Sequence, residues 1–236
     1  MTTLPLPPKI ELDHVYNIDC VDGMRLMQEQ GLVADWCIAD PPYGIGVGSK
    51  TYAKGVAIAG NGLAKRRDYS GTDWDSQRLD KSVIDLMRGI SKQQIIFGGN
   101  YYTDVLPPTK SWLVWDKRQP DEHNSFADCE LAWCSTDVAR VIHYYYNGML
   151  QGDMRNKDYR FHATQKPTQL YAKVLTLYTK EGDLILDPCA GSQALRIACH
   201  KLKRHYVGFE INKEYYDKGC EWFTQATAQI SIFDLM

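Results

Sequence analysis

Apolar residues recur along this chain with two periods, and the changes from one to the other mark out alternating elements. VYNI is a short apolar run of strand character ending at Asp19, residues 20–30 carry helical spacing, and ADWCIAD is a buried-type strand ending at Asp40. From residue 76 onward the alternation resumes. A helix is expected near 77–90, then the strands QQIIF, SWLVWD, DCELAWC and RVIHYYY, the last with an aromatic face. PTQLYAKVLTLYTK has apolar positions at helical spacing, with Pro167 suited to a first turn. DLILD, SQALRIACHKL, HYVGFE and NKEYYDKGCEWFTQATAQI then read strand, helix, strand, helix. Alternation on this scale predicts an α/β fold, a doubly wound and mostly parallel sheet with helices on both faces.

Residues 44–75 break the pattern. This stretch is rich in glycine, small and basic residues and has no sustained period. A structureless segment of that length inside a compact domain is usually functional or mobile, and a mobile loop is expected here. No repeats or low-complexity tracts interrupt the rest, and 236 residues with 44% hydrophobic content suit one well-buried domain.

In doubly wound sheets, ligands bind beyond the carboxyl ends of the strands. Asp19, Asp40, Asp187 and Glu210 all fall at expected strand ends, which places four carboxylates along one rim. Any one of them could instead cap the helix that follows. Asp40-Pro41-Pro42-Tyr43 is a stiff turn, because successive prolines fix φ and remove two backbone donors. An exocyclic amino group offers two N–H donors, for which the Asp40 carboxylate and the Pro41 carbonyl are suited acceptors. Tyr43 can stack on the base that carries it, a contact worth roughly 1–3 kcal/mol. Two acceptors draw such a nitrogen toward a pyramidal shape and free its conjugated lone pair for an electrophile. On a duplex, that chemistry requires the base to leave the stack.

The second constellation is Asp187-Pro188-Cys189-Ala190-Gly191-Ser192, a small-residue turn between an expected strand and helix. Glu210 ends the next strand, and an acid about 20 residues on is what a ribose diol requires. The glycines are too sparse for a dinucleotide fingerprint and no phosphate loop is present, so the ligand is read as a nucleoside without a pyrophosphate. S-adenosylmethionine meets that description.

DPPY together with DPCAGS closely resembles the amino-methylating DNA methyltransferases, and FGGNYY and HATQKP look like further segments of that family. DPPY precedes the cofactor loop, an order similar to the permuted β group, and the resemblance covers about residues 14–223. It implies a seven-stranded Rossmann-like methyltransferase sheet, S-adenosylmethionine as cofactor and double-stranded DNA as partner. Asp40, Pro41, Pro42 and Tyr43 would hold the target base. Asp187, Pro188, Ala190, Gly191 and Ser192 would form the cofactor loop. Glu210 would bind the ribose, and Asp19 would face the cofactor adenine. Thr164, Lys166 and Pro167 would lie near the methionine end, where the Lys166 ammonium suits a carboxylate. Asp at the head of the tetrapeptide favours N6 of adenine, with N4 of cytosine as the alternative.

The sequence departs from the family pattern in two places. Where the family's loop commonly reads DPFxGSG followed by Thr, this chain has Cys189, Gln193 and Ala194, which leaves a catalytically decayed nucleic-acid-binding module as another alternative. The segment 146–161 is short for a target-recognition region. Contacts to DNA are therefore expected from the loop 44–75, through Lys50, Lys54, Lys65, Arg66 and Arg67, supported by residues 147–160.

The formal net charge of −2 argues mildly against a nucleic-acid binder, which is usually basic, but clustering on one face matters more than the total. Cys20, Cys37, Cys129, Cys134, Cys189, Cys199 and Cys220 show no paired or zinc-type spacing, so free thiols and no metal site are expected. Asn100 suits either the cofactor or a helix cap, and the run Tyr144-Tyr145-Tyr146 either base stacking or alternating core packing. His123 and His143 read as ordinary. No apolar run reaches membrane-span length, and the N-terminal residues have no signal-peptide pattern. A cytoplasmic monomer or homodimer, without membrane partners, is the expectation.

Overall fold

The computed structural model describes residues 6–46, 58–59, 62–63, 75–119, 127–147, 150–155, 157–162 and 164–228. Strands β1 (His14–Tyr16) and β2 (Ala34–Ala39) are joined by helix α1 (Cys20–Glu29). A short antiparallel pair, β3 (Ile58–Ala59) and β4 (Gly62–Leu63), lies within the glycine-rich stretch. Helix α2 (Lys81–Gly89) leads to β5 (Ser91–Phe97) and a 3-10 turn (Gly99–Tyr101). Next come β6 (Ser111–Asp116), β7 (Cys129–Cys134), β8 (Arg140–His143) and a small hairpin of β9 (Tyr146–Asn147) and β10 (Leu150–Gln151). Helix α3 (Thr168–Tyr178), β11 (Leu184–Asp187), α4 (Ala194–Lys201), β12 (His205–Phe209) and α5 (Lys213–Thr227) complete the fold.

The main sheet runs β1-β12-β11-β2-β5-β7-β6-β8, eight strands where seven were expected. Only β7 is reversed; every other neighbouring pair in the sheet is parallel. Along each strand, alternate residues enter opposite layers. Trp36, Ile38, Ile95 and Ile185 face Leu170, Val174, Leu195 and Ile197 of α3 and α4. Cys37, Ala39, Ile96 and Leu186 face Met24, Met27, Ile84 and Met87 of α1 and α2. Helices thus cover both faces.

The expected strand RVIHYYY stops at His143. Its pairing with β6 ends at Asp116 opposite His143; beyond that the chains stay joined only by single bonds, from the Tyr144 N–H to the Asp116 carbonyl and from the Tyr146 N–H to the Lys117 carbonyl, each 3.0 Å, as Tyr146 turns into the β9–β10 hairpin. Tyr144 and Tyr146 instead pack partly buried against the core. Pro167 sits at the N-cap of α3, one position earlier than expected, and the helix is capped by a remote side chain. Asp158 accepts from the Thr168 backbone N–H and hydroxyl, both at 2.7 Å. No helix among the described residues is long and apolar enough to cross a membrane.

Candidate active site

Strands β2 and β11 are parallel neighbours, with Trp36 opposite Ile185 and Cys37 opposite Leu186. The turns that follow them, Asp40–Tyr43 and Asp187–Ser192, therefore leave the sheet side by side. β12 flanks β11 and ends just before Glu210, and β1 lies beyond it. The four carboxylates do share one rim. Asp19 is committed there to capping α1, accepting from the Val21 N–H at 2.7 Å.

The proline turn is held from several directions. Asp75 accepts from the backbone N–H groups of Tyr43 (2.7 Å) and Gly44 (2.9 Å). The Tyr102 hydroxyl donates to the Pro42 carbonyl. Tyr43 packs against Gly98, whose φ is +66°; a Cβ there would fall 2.1 Å from the Tyr43 ring. On the solvent side Tyr101 stacks on Tyr43 at 5.0 Å with planes 17° apart. The Tyr43 hydroxyl donates to Asp40 Oδ1 at 2.7 Å. Among the described residues, neither Asp40 Oδ2 nor the Pro41 carbonyl takes a hydrogen bond, so two acceptors stay open on this turn.

Lys166 is buried, and it reaches across to the proline turn. Its ammonium pairs with Asp40 Oδ1, donates to the Tyr43 hydroxyl at 3.2 Å and lies 3.5 Å from Glu130 Oε2. Glu130 also accepts from Lys117 at 2.9 Å. The Lys166 ammonium sits 4.8 Å from the centre of the Phe97 ring. Burial works against the charge of Lys166, but Asp40 and Glu130 outweigh it and hold the amine protonated above its ordinary range.

The small-residue loop is closed by Glu210. Its two oxygens accept from the Gly191 and Asn212 N–H groups, each at 2.7 Å. Burial pushes the Glu210 carboxyl up to about 7. Burial, with Asp40 and Glu210 nearby, pushes Asp187 up to about 8, against a hydrogen bond from the Cys189 backbone. Gly191 has φ +48°, and a Cβ added there would lie in ordinary contact with the His162 ring at 3.7 Å, so the imidazole borders the loop backbone. A hydrogen bond with Cys20, together with burial, keeps the Cys189 thiol protonated. His162, which accepts from the Thr164 N–H at 3.3 Å, is lowered to about 4 by burial and by Lys166 and Arg160.

Gln193 answers one departure in the sequence. It takes φ +62°, a backbone suited to glycine, with its side chain fully buried. Its amide donates to the Tyr216 carbonyl at 2.9 Å and accepts from Arg196 at 2.7 Å. Room for it exists because position 219 is glycine; a Cβ there would lie 2.5 Å from the Gln193 amide.

Of the residues expected from sequence, Asp40, Pro41, Pro42, Tyr43, Thr164, Lys166, Pro167, Asp187, Pro188, Ala190, Gly191, Ser192 and Glu210 converge on this rim. Lys50, Lys54, Lys65, Arg66 and Arg67 lie outside the described residues, as does His123. All seven cysteines are free thiols, and no cluster suited to a metal ion occurs among the described residues. Sequence reasoning missed Asp75, Tyr101, Glu130 and His162. Tyr101 and His162 nevertheless lie inside the singled-out segments FGGNYY and HATQKP.

A family model described as DNA methylase, covering N6 and N4 methyltransferases, matches residues 100–221. The type II methyltransferase M2.MboI of Moraxella bovis is 25% identical over 86% of this chain and 85% of its own length. M.HpaI of Haemophilus parainfluenzae is 42% identical over 66 residues, which are 28% of this chain and 21% of that relative's length. Among solved structures, the M1.HpyAVI–SAM complex aligns with a TM-score of 0.55 at 21% identity, covering 88% of this chain and 98% of that one. The cytosine-N4-specific PvuII DNA methyltransferase aligns with a TM-score of 0.55 at 12% identity over 96% and 91%. These two likenesses concern the fold.

Proposed function

The chain belongs to the N6/N4 DNA methylase family, and from that premise we propose that it moves a methyl group from S-adenosylmethionine to N6 of an adenine turned out of double-stranded DNA. The observation that carries this reading is the pair of open acceptors, Asp40 Oδ2 and the Pro41 carbonyl, beside a small-residue loop closed by an acid.

The residues present fit the cofactor. Glu210 offers acceptors to a ribose diol, and in the loop Asp187–Ser192 the side-chain-free Gly191, at φ +48°, allows close backbone approach. Thr164, Lys166 and Pro167 lie on the segment expected at the methionine end, and Asp19 on that expected near the adenine. When bound, S-adenosylmethionine supplies an electrophilic methyl on sulfur. The protein's own work is to bind and orient the amine. Asp40 Oδ2 and the Pro41 carbonyl take one N–H each, while Lys166 and the Tyr43 hydroxyl hold Oδ1 and fix the carboxylate plane. Held this way, the nitrogen presents its lone pair, and preorganised acceptors stabilise the positive charge that develops there during transfer. As that charge appears, the N–H shared with Asp40 becomes acidic enough to be taken by the carboxylate.

DNA would be gripped by Lys50, Lys54, Lys65, Arg66 and Arg67, with recognition short or relaxed given the reduced segment 146–161, or completed by a second subunit. The test is Asp40→Ala. Methylation, read as N6-methyladenine by mass spectrometry of digested DNA, should be abolished while calorimetry shows cofactor binding largely intact. Equal loss of both would make Asp40 structural. N4-methylcytosine as the product of the unmutated protein would move the reading to cytosine. Absence of any cofactor binding would leave a nucleic-acid-binding module.

A further inference from the structure

Resting on that reading, we infer that Glu130 is a positioning residue: through Lys166 it sets the Asp40 carboxylate, so that Lys166 serves the base-binding turn rather than the methionine carboxylate of the cofactor. The route is short. Lys117 anchors Glu130 Oε1 at 2.9 Å, Glu130 Oε2 lies 3.5 Å from the Lys166 ammonium, and that ammonium pairs with Asp40 Oδ1 and with the Tyr43 hydroxyl at 3.2 Å. Two carboxylates and two ammoniums form a chain of alternating charge, Lys117–Glu130–Lys166–Asp40, running from β6 across β7 to the turn after β2. Its members are buried or partly so; the Lys166 and Lys117 side chains are 4% and 16% exposed. Tyr43 and, beyond the carboxylates, Tyr171 of α3 face the same cluster as neutral phenols, and His162 is neutral. Asp40 and Glu130 are therefore the negative charges that hold Lys166 protonated.

Occupancy sets the consequence. With both Lys166 and the Tyr43 hydroxyl on Oδ1, only Oδ2 is presented to the amine, so the geometry of the transfer depends on a carboxylate that does not touch the base. Removing one partner of a buried pair leaves the others poorly compensated, and a misplacement of about 1 Å at a reacting group can cost roughly a hundredfold in rate.

The experiment compares the unmutated enzyme with Glu130→Gln, measuring kcat against pH and the cofactor dissociation constant by calorimetry. Expected is a fall in kcat of about ten- to a hundredfold with cofactor affinity within about twofold. The alkaline limb of kcat should also begin at lower pH, because Lys166 has lost a neighbouring negative charge. Glu130→Asp, which keeps the charge, should restore the limb toward that of the unmutated enzyme. Should Glu130→Gln fail to fold, Lys117→Gln is read instead: it frees Glu130 without removing its charge, so kcat should fall while the alkaline limb does not move to lower pH and cofactor affinity holds. An unmoved limb in folded Glu130→Gln, an unchanged kcat in Lys117→Gln, or a cofactor dissociation constant that rises while kcat holds overturns the inference and returns Lys166 to the cofactor. An unmutated protein without methylating activity sinks the functional reading instead, and is told apart by that control alone.

Discussion

At the scale of single residues, the two buried acids of the rim give the protein a pH signature. The Asp187 and Glu210 carboxyls titrate at about 8 and about 7, far above the ordinary values of about 3.9 and 4.3. The folded state thus holds protons that the unfolded state has released. The stability each contributes is present below about pH 4 and is lost as pH rises through 7 for Glu210 and through 8 for Asp187. His162, lowered to about 4, acts in the opposite sense but only below its ordinary value of about 6.5. Between about pH 6.5 and 8 the acids alone set the slope within this group. The melting temperature of the ligand-free protein should therefore fall across that window, and Asp187→Asn should flatten the fall, as scanning calorimetry would read. An equally steep fall in the variant would place the titration elsewhere. The residues themselves were uneven in what they revealed. Asp40, Asp187 and Glu210 were legible because each ends an apolar run. Gln193 looked like a defect, because a string of letters does not show that Gly219 leaves space for it.

At the scale of elements, β7 explains what could not be read in advance. Looking for acids after strands works for parallel strands, whose carboxyl ends meet at the rim. β7 is antiparallel to both neighbours, so its beginning reaches that rim, and Glu130 lies opposite Trp115 near the end of β6. Nothing in DCELAWC announces its direction. The short segment after β8 was likewise read only by its length. Its hairpin is fastened to the segment that leads into α3, with Gln151 and Asp158 exchanging hydrogen bonds at 3.1 and 3.3 Å and Asp158 capping α3. Asp158→Ala should cost about 1–2 kcal/mol of stability, as the loss of a helix cap does, and lower cofactor affinity by loosening the segment that carries Thr164 and Pro167. Chemical denaturation and calorimetry on the same variant measure both, and unchanged stability would show that the cap contributes nothing.

At the scale of the whole molecule, a chain of formal net charge −2 must attract a polyanion locally. If Lys65, Arg66 and Arg67 contact phosphates, replacing all three with alanine should reduce the slope of log affinity against log salt by up to about 2.7, at about 0.9 per contact. Fluorescence anisotropy of labelled duplex across a salt series reads this directly; an unchanged slope would remove these residues from the DNA face. The architecture itself was the most legible part, since strand–helix alternation survives local errors of a residue or two. The eighth strand and the reversal of one are decided by pairing, which composition does not encode.

Gln193 ties the far end of the chain to the middle of the site. Its left-handed backbone is kept by a side chain sunk into α5, through the Tyr216 carbonyl and the hollow at Gly219. The last helix thereby acts as a strut for a turn that precedes it in sequence. Clipping the chain within α5 would free that turn to relax, so damage at this helix would be felt first in the small-residue loop Asp187–Ser192.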